Sequence, residues 1–200
     1  MWWARRWYVD YGTYVLCVTM PPPEGAVYSN VTLHKDRGWC FFEVSMASVV
    51  KNGNNLWDAS KYTDGLDDYF KMKDQLRSGR PKMLSPPAFG EAMRTRVAAG
   101  ELKFTAKADM ETVIEQYRIG FVQSISSFAV EKFISFWKLG WKDEEGEAML
   151  ESLEYAEEHC SREEKLEFSA WKGNDFSAAF KEKAEAFNAK SEKFKLNLGS

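Results

Sequence analysis

Long hydrophobic runs are what this chain lacks most plainly: no stretch approaches the roughly 20 consecutive apolar residues that a membrane-spanning helix needs. Histidine is almost missing, with His34 and His159 the two in the chain, and the three cysteines, Cys17, Cys40 and Cys160, are odd in number and far apart. There is no C-x-x-C pair, so no metal site and no bound cofactor is expected. The thiols read as reduced, in an intracellular, cytosol-like compartment of unspecified organelle. An excess of basic charge is lacking too. The net charge of −3 comes from 27 basic and 30 acidic residues well mixed along the chain, which excludes the basic face a nucleic-acid binder requires. The N-terminal "MWWARRWYVDYG" has neither the apolar core nor the small-residue cleavage site of a signal peptide.

What is present is the composition of a folded domain: 44% apolar and 28% charged residues over a length of 200. A chain of that size buries roughly 70% of its unfolded surface and needs no staple. The expected fold class is α/β and helix-rich, in three segments: 1–57, 58–130 and 131–200. Residues 13–19, "TYVLCVT", predict one buried strand, closed by the prolines of "MPPPEG". Asp36 offers an N-cap for a helix whose Trp39, Phe42, Met46, Val49 and Val50 face a core until "NGNN" stops it. Residues 58–78 predict a second helix with a sparse stripe of Leu66, Tyr69, Phe70 and Leu76. "SGRPKMLSPP" is a connector, and Ser85 with Pro86 opens a helix that ends at Gly100. The strongest helical period belongs to Val113, Ile114, Tyr117, Phe121, Ile125 and Phe128.

From residue 133 the pattern changes and doubles. "KFISFWKLGW" predicts a strand and "DEEGEAMLESLEYAEEHC" a helix; "KLEFSAW", "KGNDF" and "SAAFKEKAEAFNAKSEKF" repeat strand, turn and helix about thirty residues later. The phrase "LEFSAWKGNDFSAAFKEKAEAF" resembles the ribonuclease-inhibitor type of leucine-rich repeat, with phenylalanines in place of leucines and a stretch of about two extra residues. The resemblance implies two degenerate repeat units over residues 131–194, with an uncapped far end. A plain β–α–β–α arrangement without repeat ancestry accounts for the same pattern.

One carboxylate stands out in "DRGWCFFEVSMASVVKNG": Glu43, inside an otherwise apolar run. The strand "YVLCVT" followed by "RGWCFFEV" resembles the central part of Toll/interleukin-1 receptor (TIR) domains, whose helix opens on a W-C-x-x-E phrase; Trp39, Cys40, Phe41 and Glu43 match it. A longer likeness runs through "LSPPAF" and "KFTAKADMETVIEQY" to multidomain proteins of algae and other protists, in which a TIR-like segment precedes leucine-rich repeats. In catalytic TIR members the glutamate serves cleavage of the glycosidic bond of NAD⁺. The resemblance thus implies Glu43 as a residue that would hold the ribose hydroxyls and stabilise an oxocarbenium-like charge. Twelve residues precede "TYVLCVT", too few for the two further strands of such a domain, and no glycine-rich phosphate loop is present. The structural alternative is a carboxylate at the margin of the core face that caps a neighbouring backbone or pairs with Arg37 or Lys51. Cys40 reads as a small buried hydrophobe and His34 as a surface loop residue.

Trp2, Trp3, Trp7 and Tyr8 gather around two arginines, the composition of an interface hot spot; alternatively they cover the protein's own core beside "TYVLCVT". With Trp39 they are the candidate binding residues. The leading functional expectation is a non-catalytic protein–protein interaction or scaffold module, a subunit of a larger assembly. An NAD⁺ glycohydrolase using Glu43 is the alternative, and a sensor in which Trp39 and Tyr28 stack on a nucleotide is a third.

Overall fold

Ser85, Asp68 and Ser177 each convert extended backbone into a helix start, because a short oxygen-bearing side chain accepts from the first free N–H groups of the turn. The computed structural model of the chain describes residues 10–21, 23–25, 27, 32–65, 68–106, 108–129 and 133–199. Among these lie six helices: α1 Gly38–Val50, α2 Tyr69–Leu76, α3 Pro86–Ala98, α4 Asp109–Ser126, α5 Asp143–His159 and α6 Ala178–Lys190. Five short strands, β1 Val15–Cys17, β2 Leu56–Asp58, β3 Ile134–Ser135, β4 Leu166–Ser169 and β5 Phe194–Asn197, form two parallel sheets ordered β1-β2 and β3-β4-β5. The chain is therefore a helix-rich α/β protein. The loop before β2 meets β3 where the Gly53 N–H donates to the Ser135 carbonyl at 2.6 Å. A Cβ at residue 53 would stand 3.2 Å from the Trp137 carbonyl oxygen, so this approach is easiest for glycine.

One hydrophobic core runs through all three segments, from Phe42 and Met46 through Phe89, Tyr117 and Phe121 to Phe168 and Phe194. The 3.6-residue period of α4 puts Val113, Tyr117, Phe121 and Ile125 in that core, all fully buried. Tyr117 lies flat on Phe89 with centroids 3.9 Å apart, and its hydroxyl donates to the Leu84 carbonyl at 2.8 Å. In α1 the residues Phe42, Met46, Val49 and Val50 are buried as the spacing predicts, with Trp39 half-buried at their edge.

Several elements differ from the sequence reading. Asp36 is not the N-cap of α1: it sits in a 3-10 turn, its carbonyl accepts from Lys103, and Arg37 occupies the cap. The helix expected over 58–78 begins only at Tyr69, where Asp68 accepts from the N–H groups of Phe70 and Lys71. Tyr69 and Phe70 turn outward, 53% and 68% exposed, and Leu76 alone of the described stripe is buried; Leu66 lies outside the described residues. β3 is two residues long, and the chain turns soon after it at Lys138, which adopts a positive φ of 55°. β2 and β5 have no counterpart in the sequence reading: β2 follows the "NGNN" stop, and β5 starts at the last residue of the phrase that predicts the C-terminal helix. β1 is buried on one face only, since Tyr14, Leu16, Val18 and Met20 are each more than half exposed.

Asn174 joins the two C-terminal units. Its amide donates to the carbonyls of Phe136 (2.8 Å) and Ala170 (2.6 Å), while its Oδ1 accepts from the N–H groups of Leu139 (3.2 Å) and Trp141 (3.0 Å). The register pairs Ile134 with Phe168 and Phe168 with Leu196. The expectation of an uncapped far end fails here. The carbonyls of Lys193 and Asn197 face β4, so Phe194 and Leu196 present their backbone groups outward. Ser191 binds both the N–H and the C=O of Phe194, and Asn188 binds both of Leu196. Side chains of the preceding turn thus satisfy the groups that an edge strand would offer to another strand.

Lys51 fixes β1 against α1. Its fully buried ammonium donates to the carbonyls of Asp10 and, at 2.8 Å, Thr13. Burial lowers its pKa from the ordinary 10.5 to about 8. The unfolded chain then binds more protons above that pH, so stability rises as pH climbs from about 8, by up to about 1.4 kcal/mol per unit. Burial also raises Cys17 from 9.0 to about 11, which acts in the opposite direction above pH 9. Urea titrations at pH 8 and 9 are expected to show the rise in the native chain and its loss in Lys51→Met.

Candidate functional site

The carboxyl ends of parallel strands are where α/β folds place ligands, because side chains and loops diverge there. Beside Cys17 of β1 and Trp57 and Asp58 of β2 the structure holds a cavity of about 320 Å³. Cys40, Phe41 and Val44 of α1 form one wall, Leu76 at the end of α2 and residues 77–81 after it another, and His34, Lys35 and Arg96 the rim. His34 is therefore half-buried on the edge of a cavity, not a loop residue on the open surface.

The sequence-predicted residues distribute unevenly around it. Cys40 lines the cavity; Glu43, half-buried one helical turn further along α1, does not. Glu43 pairs with neither of the cations expected for it. Arg37 Nε donates to the Thr32 carbonyl at 2.8 Å, and Lys51 points to β1. Trp39 faces away from the cavity: its indole N–H donates to Asp109 of α4 at 3.2 Å and its ring meets Phe42 edge-on. Trp2, Trp3, Trp7, Tyr8 and Tyr28 lie outside the described residues.

The thiols on the wall are poor nucleophiles. Burial, helped by Glu43, pushes the Cys40 pKa upward, and burial with Asp58 and Glu43 holds Cys17 at about 11. Both remain thiols at neutral pH, the reverse of what attack requires. Among the described residues no group of three His, Cys, Asp or Glu side chains comes together to hold a metal.

Three residues that the sequence reading passed over line the cavity with polar side chains. Arg80 is buried, stacked with its guanidinium carbon 4.8 Å from the Phe136 centroid, and donates from Nη2 to the Ser48 carbonyl at 3.0 Å. Its Nε and Nη1 are buried without an acceptor, as are Arg77 Nε and Trp57 Nε1. Arg77 is otherwise held by Asn54 (2.6 Å) and Asp74. Burial lowers the Arg80 pKa to about 9, which leaves it charged at neutral pH. The connector "SGRPKM" has no period that could have marked Arg80 as buried.

Comparison of the chain with family models, with curated proteins and with solved structures gave no match. No helix among the described residues is long and apolar enough to cross a membrane.

Proposed function

We propose that this chain is a non-catalytic interaction module, an adaptor or peripheral subunit of a larger assembly, which docks a protein partner across the outer face of β1. One observation carries the reading. β1 and β2 pair in parallel, an arrangement normally covered on both faces, yet Tyr14, Leu16, Val18 and Met20 alternate outward and are each more than half exposed. An apolar stripe of this kind, on the order of a few hundred Å², marks an interaction surface. It falls short of the roughly 800 Å² per partner of a standard interface, so two copies meeting through it alone would form no stable dimer. The occupant is a different protein with a larger footprint.

The C-terminal half supplies a stiff support. Three parallel strands in chain order and the four backbone hydrogen bonds of Asn174 support the leucine-rich-repeat comparison. The alternative with Glu43 acting on NAD⁺ gains nothing from a carboxylate off the cavity wall.

A photo-crosslinkable residue at position 18, in the cells that express the protein, tests the reading. The expected product is a heterologous adduct that Leu16→Lys suppresses and that re-forms with the purified partner. Adducts to a second copy, or to residues 1–9 of the same chain, would refute it.

A further inference from the structure

A buried guanidinium with no carboxylate beside it is an unusual element of a cavity wall. An ionised group taken out of water needs a compensating charge or a full set of hydrogen bonds, and Arg80 has one carbonyl and one aromatic ring. The other cations of the wall are balanced: Arg77 by Asp74, and Arg96 by Glu101 at 3.3 Å. Lys35 is exposed. Asp58 contributes a carboxylate that already accepts from Thr19 and Ser60. Among the described residues Arg80 is thus the buried cation of the wall with no carboxylate in ion-pair contact, and donors on Trp57 and Arg77 lack an acceptor as well. Leu56, Leu76, Val44, Phe41 and the two un-ionised cysteines make up the apolar part of the lining, beside Thr19, Ser78 and His34.

We propose that this cavity is a binding site for a small apolar monocarboxylate, whose charge is taken by Arg80 and whose body fills the space between α1 and the segment after α2. A single negative charge answers the buried Arg80; a phosphate dianion would leave an excess charge facing Asp58. The volume of about 320 Å³ is roughly twice that of an apolar cavity that takes up benzene, which gives room for about a dozen heavy atoms. The site is separate from the outer face of β1, and it stands whether or not that face docks a partner.

Titration calorimetry and thermal unfolding of the full chain with benzoate, benzyl alcohol and inorganic phosphate test this. Benzoate is expected to bind saturably with a Kd on the order of 1 mM or tighter, and to raise the Tm. Benzyl alcohol, the same size but neutral, is expected to bind at least about tenfold more weakly, because it cannot answer the Arg80 charge. Phosphate should produce no shift. Arg80→Met is expected to weaken benzoate by roughly a hundredfold while keeping the fold, since removing an unpaired buried charge costs little. Should that variant fail to fold, Cys40→Phe fills the cavity from α1 with Arg80 in place, and it too must abolish binding while the circular dichroism spectrum is retained. The proposal is overturned if benzoate and benzyl alcohol bind alike, if phosphate alone binds, if neither anion binds and the donors are merely hydrated, or if Cys40→Phe binds benzoate as the native chain does.

Discussion

Asn174→Ala is expected to destabilise the protein by about 4 kcal/mol, a large effect for one side chain on the edge of the fold. The amide satisfies two carbonyls and two N–H groups, drawn from the β3 turn and the end of β4. Phe136, Ala170 and Trp141 are buried, so the groups released by truncation find little water in exchange. Asn174→Asp separates this account from one based on side-chain volume. An aspartate keeps the acceptor for Leu139 and Trp141 but presents a second oxygen to the carbonyls of Phe136 and Ala170. Its charged form is disfavoured in the fold, which raises its folded pKa. The stability it retains is then present at low pH and lost as pH rises through that pKa. Chemical denaturation between pH 4 and 7 checks both variants: Asp must fall well below Asn at pH 7 and recover part of the gap at pH 4. Equal stability of Asn, Asp and Ala at pH 7 would mean that the bridge contributes nothing.

Phe168→Ala is expected to cost about 3–5 kcal/mol. Phe168 is fully buried on the middle strand, parallel to Phe136 at 6.2 Å and edge-on to Phe194 at 6.1 Å. Its removal leaves a cavity between two rings that cannot both close it, because each is held by its own strand in register. Phe168→Leu is expected to lose less than half as much. Urea unfolding midpoints measure the order native, Leu, Ala. A loss below 1 kcal/mol for Ala would show that the C-terminal sheet is not part of the main core.

These two residues show what the sequence displays and what it hides. The alternation of Leu166 and Phe168 and the turn at Asn174 were legible, because period-two burial and turn chemistry are local signals. The bond from Asn174 back to residues 136–141 was not, since it depends on how one unit stacks on the other. β5 was hidden for a related reason: "EKFKLN" continues the charged pattern of α6, and Ser191, not a glycine or proline, ends that helix. The outward face of β1 was missed because "TYVLCVT" is apolar without a break from Tyr14 to Val18, the pattern of a strand buried on both sides. The cavity divides the same way. Cys40 was singled out by its motif, whereas Arg80 sits in a connector where the default is exposure, and Glu43 is drawn off the wall by the helical turn that keeps Met46 and Val50 in the core.

The equilibrium unfolding of Leu16→Lys/Val18→Lys bears most directly on the reading of β1 as a docking face. A lysine at a solvent-facing strand position changes stability by no more than about 0.5 kcal/mol, whereas one forced under a covering segment costs several. The account predicts a double variant with an unchanged midpoint and, with the photo-crosslinkable residue placed at position 20 instead, no remaining heterologous adduct. A variant that unfolds by several kcal/mol would show that the stripe belongs to the protein's own interior, and would contradict it.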